Sequence, residues 1–68
     1  MKLYTERNGS LHFLAEVESI EGAALVIDRD CKSRFVVLNR KIRFKPVNGN
    51  QLEFSALSGK VRYILEEK

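Results

Sequence analysis

Apolar and polar residues alternate at intervals of two through much of this chain. Leu11, Phe13, Ala15 and Val17 fall on one side of a run whose other side carries His12, Glu16 and Glu18, and Ile42 and Phe44 interleave with Lys41, Arg43 and Lys45. That period belongs to a strand with one buried and one solvated face. The glycines mark where such strands reverse: Asn8-Gly9, Glu21-Gly22, Asn48-Gly49 and Ser58-Gly59 divide the chain into runs of strand length. Asn-Gly is the strongest of these signals, because both residues tolerate the positive φ that a tight hairpin requires. With Asp30-Cys31-Lys32-Ser33 as a further polar turn, the predicted strands are Lys2 to Arg7, Ser10 to Ile20, Ala23 to Arg29, Arg34 to Lys45, Gln51 to Leu57 and Lys60 to Glu66.

Two of these runs depart from simple alternation. Ala23-Ala24-Leu25-Val26-Ile27 has no polar position, and Phe35-Val36-Val37-Leu38 repeats the pattern, so both are expected to be covered on two faces, as in a curled sheet. Leu14 interrupts the alternation of the second run and marks a bend there. Long strands that change face partway suit a small barrel. The expectation is therefore an all-β fold: a single domain over residues 1–68, built as a five- to six-stranded, strongly bent, SH3-like barrel with a core over 2–46 and an added C-terminal hairpin over 50–66. Alternation places most of the phenylalanines in the core.

Charge sharpens the picture. The chain has 68 residues and a net charge of +3, yet Arg29 to Lys45 holds seven Lys or Arg residues against the single acid Asp30. Glu16, Glu18, Glu21 and Asp28 lie just before this stretch, so charge is polarised along the chain. A cationic strand face favours polyanions, because Lys and Arg neutralise phosphates and release counterions. The competing reading is a solvated face that protects an edge strand from aggregation.

Other chemistry finds little support. One cysteine, Cys31, allows no internal disulfide and no multi-cysteine metal site, and points to a reducing, cytoplasmic setting. Cations beside Cys31 make a reactive thiol a minor hypothesis. His12 is the sole histidine and reads as a surface residue, with Glu16 and Glu18 as candidate partners. No nucleophile stands beside a base and no Gly-rich phosphate loop is present, so neither an enzyme nor a cofactor is expected. Met1 to Arg7 lacks an apolar signal-peptide core, and no segment approaches the roughly 20 apolar residues of a membrane span.

Taken in order, Leu3-Tyr4 before the Asn8-Gly9 turn, Glu16 to Glu21, Leu25-Val26-Ile27, Phe35-Val36-Val37 and Ile42 to Pro46 resemble the Sm-like family, in particular its bacterial Hfq-type members. The resemblance covers about Leu3 to Pro46. It implies a bent small barrel, ring assembly through strand pairing, and RNA binding. The stretch matching the family's pore-lining motif is Leu38-Asn39-Arg40-Lys41, with Arg40 where that motif has His. This chain has no N-terminal helix of the family's kind, and it adds Gly49 to Lys68. Arg34-Phe35, Leu38 and Ile42 carry a comparable resemblance to Sm-fold antiterminators that bind Rho, which implies a protein partner.

The expected function is a regulatory, non-enzymatic, oligomeric binder of RNA ahead of DNA. The expected contacts are Arg34, Arg40, Lys41, Arg43 and Lys45 on phosphates, Asn39 on base edges and Tyr4 as a stacking surface. The alternative is a module that docks on a transcription or RNA-processing factor. A homo-oligomer is expected in either case, to cover strand edges and to support a small core.

Overall fold

Among the described residues, five antiparallel strands form one open sheet and one helix packs across a face of it. The computed structural model describes residues 1–38 and 41–67. The elements are β1 (Lys2–Arg7), β2 (Ser10–Glu16), α1 (Ile20–Ser33), β3 (Lys45–Asn48), β4 (Gln51–Ala56) and β5 (Val61–Glu66), in the sheet order β2-β1-β5-β4-β3. The all-β expectation holds in that the molecule is dominated by its sheet, and four of the five strands fall on predicted runs. Closure into a barrel does not occur. β2 and β3 are both edges.

The β1–β2 hairpin turns on Asn8 and Gly9, whose φ angles of 53° and 81° are those of a two-residue turn matched to strand twist. Pairing runs from Arg7 opposite Ser10 to Lys2 opposite Glu16, and it skips a residue between Leu3–Ala15 and Tyr4–Phe13. The extra residue is Leu14, so the predicted bend is a β-bulge, a device that re-aims a strand. β2 then ends at Glu16, short of the predicted Ile20.

The main correction is α1, which occupies residues expected to form a third strand and a polar turn. Ser19 caps its N-terminus, accepting a hydrogen bond from the Gly22 amide at 3.0 Å, so Glu21-Gly22 is the first helical turn and no hairpin. Ala23, Ile27 and Cys31 then recur every four residues and form the buried stripe. An unbroken apolar run carries no period of its own; the cap and the continuation of the stripe to Cys31 decide for helix. Glu21 in the first turn and Lys32 in the last complement the helix dipole.

The core lies between this stripe and one sheet face. Leu3, Phe54, Ala56, Val61, Tyr63 and Leu65 are buried there with Val17, Ala23, Ile27 and Cys31. Each fully buried side chain of Leu or Ile size contributes about 1.5–3 kcal/mol through its removal from water. The aromatic expectation is met in part: Phe54 is buried and Phe44 packs against the core, whereas Phe13 and Phe35 are exposed.

Among the described residues of the long strand expected over Arg34 to Lys45, only Lys45 belongs to a strand. Alternation nevertheless survives. Val36, Leu38, Ile42 and Phe44 pack against the core, while Phe35, Val37, Lys41, Arg43 and Lys45 are exposed. Residues 35–38 and 41–45 lie as a ribbon against the core. Its period 2 comes from having one covered side, without a continuous ladder.

Candidate nucleic-acid interface

β3 pairs with β4 only through Lys45–Glu53, Pro46–Leu52 and Asn48–Gln51. Pro46 lacks an N–H to donate, which suits an edge strand. Upstream of Lys45 the chain leaves the sheet, and a recess of about 560 Å³ opens between it and β4, lined by Lys41, Arg43, Lys45, Glu53, Phe54 and Ser55. The three cations are exposed, and none makes an ion pair with another described residue. Glu53, the one acid in this lining, is bound to Arg62 on β5, which also binds Glu6 on β1. Arg62 thus holds two acids of the outer sheet face in an internal bridge, and the recess keeps its positive character.

A second recess, of about 500 Å³, is lined by Glu6, Arg7, Asn8, Arg34 and Lys60. Antiparallel pairing of β1 with β5 brings the end of the first hairpin beside the turn before β5. Arg7 and Lys60 meet there, exposed and without an ion pair to a described residue. Nothing in the sequence pointed to these two cations, because only the β1–β5 register makes them neighbours.

Arg34 has a different setting from the other predicted contacts. Its Nη2 lies 3.0 Å from Asp30 Oδ2 and donates to Thr5 Oγ1 at 3.2 Å. Asp30 also accepts from the Tyr63 hydroxyl at 2.6 Å, and that hydroxyl lies 3.4 Å from Cys31 Sγ. Since a carboxylate can only accept, the phenol donates to Asp30 and the thiol donates to the phenol oxygen. Burial, then the bonds to Asp30 and Cys31, push the Tyr63 phenol well above its usual pKa of 10.0. Arg34 therefore seals a polar cluster under the helix, and only its outer part reaches the second recess. The reactive-thiol reading of Cys31 is overturned, because the side chain is buried in α1 and away from solvent.

Tyr4 lies on the sheet face opposite the helix, its ring centroid 5.9 Å from that of Phe13 in an edge-on arrangement. It is not among the residues lining either recess. Asn39 and Arg40 lie outside the described residues. Glu16 sits 3.6 Å from the N-terminal ammonium and Asp28 3.1 Å from Lys32, so two of the clustered acids have partners within the chain. Among the described residues no group of His, Cys, Asp and Glu is placed to hold a metal ion, and no helix is long and apolar enough to cross a membrane.

Comparison with protein-family models, curated proteins and solved structures gives no match to this chain.

Proposed function

We propose that this protein is a small, non-enzymatic, regulatory binder of nucleic acid, taking RNA ahead of DNA. Lys41, Arg43 and Lys45 neutralise phosphates, and of these three the Sm-like resemblance implies Lys41. The observation that supports this most directly is the recess between the ribbon and β4. Its three cations face one opening, and its single acid is occupied by Arg62. Phosphate neutralisation needs cations that are not already spent on carboxylates of their own chain, and this trio meets that condition better than Arg34.

The test is a salt titration of binding to a short single-stranded RNA. Each neutralised phosphate of a single strand contributes about 0.7 to the slope of log affinity against log salt. Replacing Lys41, Arg43 and Lys45 together by Ser is expected to weaken binding and reduce that slope by roughly 2. All three side chains are solvent-facing, so the fold is expected to persist. Affinity that stays undetectable for the unmodified protein at low ionic strength defeats the proposal.

A second reading, docking on a protein such as a transcription or RNA-processing factor, draws support from β2. This edge strand carries exposed Leu11 and Phe13, a surface suited to strand addition. The same edge is where we place pairing with further copies of the chain.

A further inference from the structure

Phe35 is 96% exposed, the highest value among the exposed large hydrophobic residues described, and its backbone φ is +61°. Each fact is costly. A bulky residue in the left-handed region is an outlier that persists only when its surroundings impose it. An aromatic ring held wholly in water forgoes the burial that stabilises Phe54 in the same molecule.

The local structure shows how the conformation is imposed. The Arg34 amide donates to the Cys31 carbonyl, the Phe35 amide to the Lys32 carbonyl and the Val36 amide to the Cys31 carbonyl, which closes the C-terminus of α1. A left-handed residue is the usual device for such an ending, and Gly or Asn is the usual occupant. Here the position carries a phenyl ring. Its chain neighbours are tied down on both sides, Arg34 by Asp30 and Thr5, and Val36 by the core. The ring is therefore presented from a fixed base.

Cations lie on either side of it along the chain. Arg34 lines the recess that also holds Arg7 and Lys60. On the other side, Phe35 and Val37 begin the exposed side of the ribbon whose later exposed residues are Lys41, Arg43 and Lys45. An exposed aromatic beside positive charges is the combination by which proteins hold single-stranded nucleic acid, stacking a base on the ring while cations follow the backbone. A duplex offers no unstacked base to such a ring.

Resting on the nucleic-acid reading above, we propose that Phe35 is a base-stacking platform and that the ligand is single-stranded. It takes the role that the sequence suggested for Tyr4, which instead packs edge-on against Phe13.

The experiment compares a labelled oligouridylate with an RNA duplex of the same length. Binding is measured for the unmodified chain, Phe35→Ala, Phe35→Leu, Phe35→Trp, and the triple Ser variant of Lys41, Arg43 and Lys45. Phe35→Ala and Phe35→Leu are expected to lose about tenfold in affinity for the single strand with an unchanged salt slope, since a ring contacts no phosphate. Phe35→Trp is expected to retain binding, with its fluorescence quenched by the bound strand. Phe35→Gly is expected to raise the thermal midpoint by a few degrees while weakening binding, because glycine relieves the positive φ.

If the triple variant loses affinity while Phe35→Ala binds as the unmodified chain does, the platform is overturned and the cationic surface stands. The platform is equally overturned if Phe35→Leu binds normally, or if duplex and single strand bind equally. If the unmodified protein binds neither RNA at low salt, the nucleic-acid reading falls and the platform falls with it.

Discussion

Tyr63 shows how one residue can tie two layers together. It lies on β5 with no exposed surface, and its hydroxyl crosses to Asp30 and Cys31 on α1. Removing that hydroxyl in Tyr63→Phe takes one partner from the half-buried Asp30, which keeps Arg34, and one from the buried Cys31, at an expected cost of about 1–3 kcal/mol. The raised phenol pKa fixes the sign of the pH dependence. The unfolded phenol ionises near 10.0 while the folded one stays protonated, so this contribution is fully present below about pH 10 and is lost as the pH rises beyond it. Phenolate absorbance from Tyr63 is therefore expected to appear together with loss of circular dichroism in an alkaline titration. Ionisation of both tyrosines with the fold intact would count against the cluster. None of these partnerships was legible in the sequence, because Tyr63 is separated from Asp30 by 33 residues and meets it only once helix and sheet have packed.

Among the secondary-structure elements, hairpins are legible from local sequence and the helix is not. Strand β1 and the turns at Asn8-Gly9, Asn48-Gly49 and Ser58-Gly59 follow from local rules, since a turn depends on the φ preferences of two or three residues. Helix α1 depends on more distant information. Ala23 to Ile27 is apolar throughout, and its state is set by a cap four residues earlier and by packing of Ala23, Ile27 and Cys31 on the sheet. Ser19→Ala is expected to destabilise the protein by about 1 kcal/mol through loss of the bond to Gly22. Chemical denaturation measures it, and an unchanged midpoint would show that the cap contributes nothing. The ribbon of residues 35–38 and 41–45 marks an intermediate case. Its two-residue period correctly implies one side in and one side out, but the same period arises when a chain lies along a core without pairing.

Taken together, the elements leave an open sheet with two unequal edges. β3 is four residues long, contains Pro46 and begins with Lys45, features that discourage pairing with another chain. β2 is seven residues long, has neither Lys nor Pro, and exposes Leu11 and Phe13; its protective features are the bulge at Leu14 and the charge of Glu16 at its end. If copies associate through β2, the mass in sedimentation equilibrium is expected to rise with concentration above that of a 7.8 kDa chain. Phe13→Lys is then expected to restore the single-chain mass. A constant single-chain mass across the concentration range would remove self-assembly from the proposal. The basic stretch belongs to this scale too. Five of its cations are close in sequence, yet the fold assigns them different tasks: Lys32 pairs with Asp28, Arg34 with Asp30, and Lys41, Arg43 and Lys45 line the recess.

Local sequence is enough to dictate the hairpins, the predominance of strands, the in-and-out alternation of the ribbon and the cationic character of its outer side. These are properties of dihedral preference, period and composition within a few neighbouring residues. Long-range packing settles the rest: that Ala23 to Ile27 is helical, that the sheet stays open, that Arg34 turns inward while Phe35 stands in solvent, and that Arg7 and Lys60 meet. The helical state of Ala23 to Ile27 and the inward turn of Arg34 depend on packing α1 against one sheet face, and the meeting of Arg7 with Lys60 depends on the pairing of β1 with β5; both bring together residues far apart in the chain.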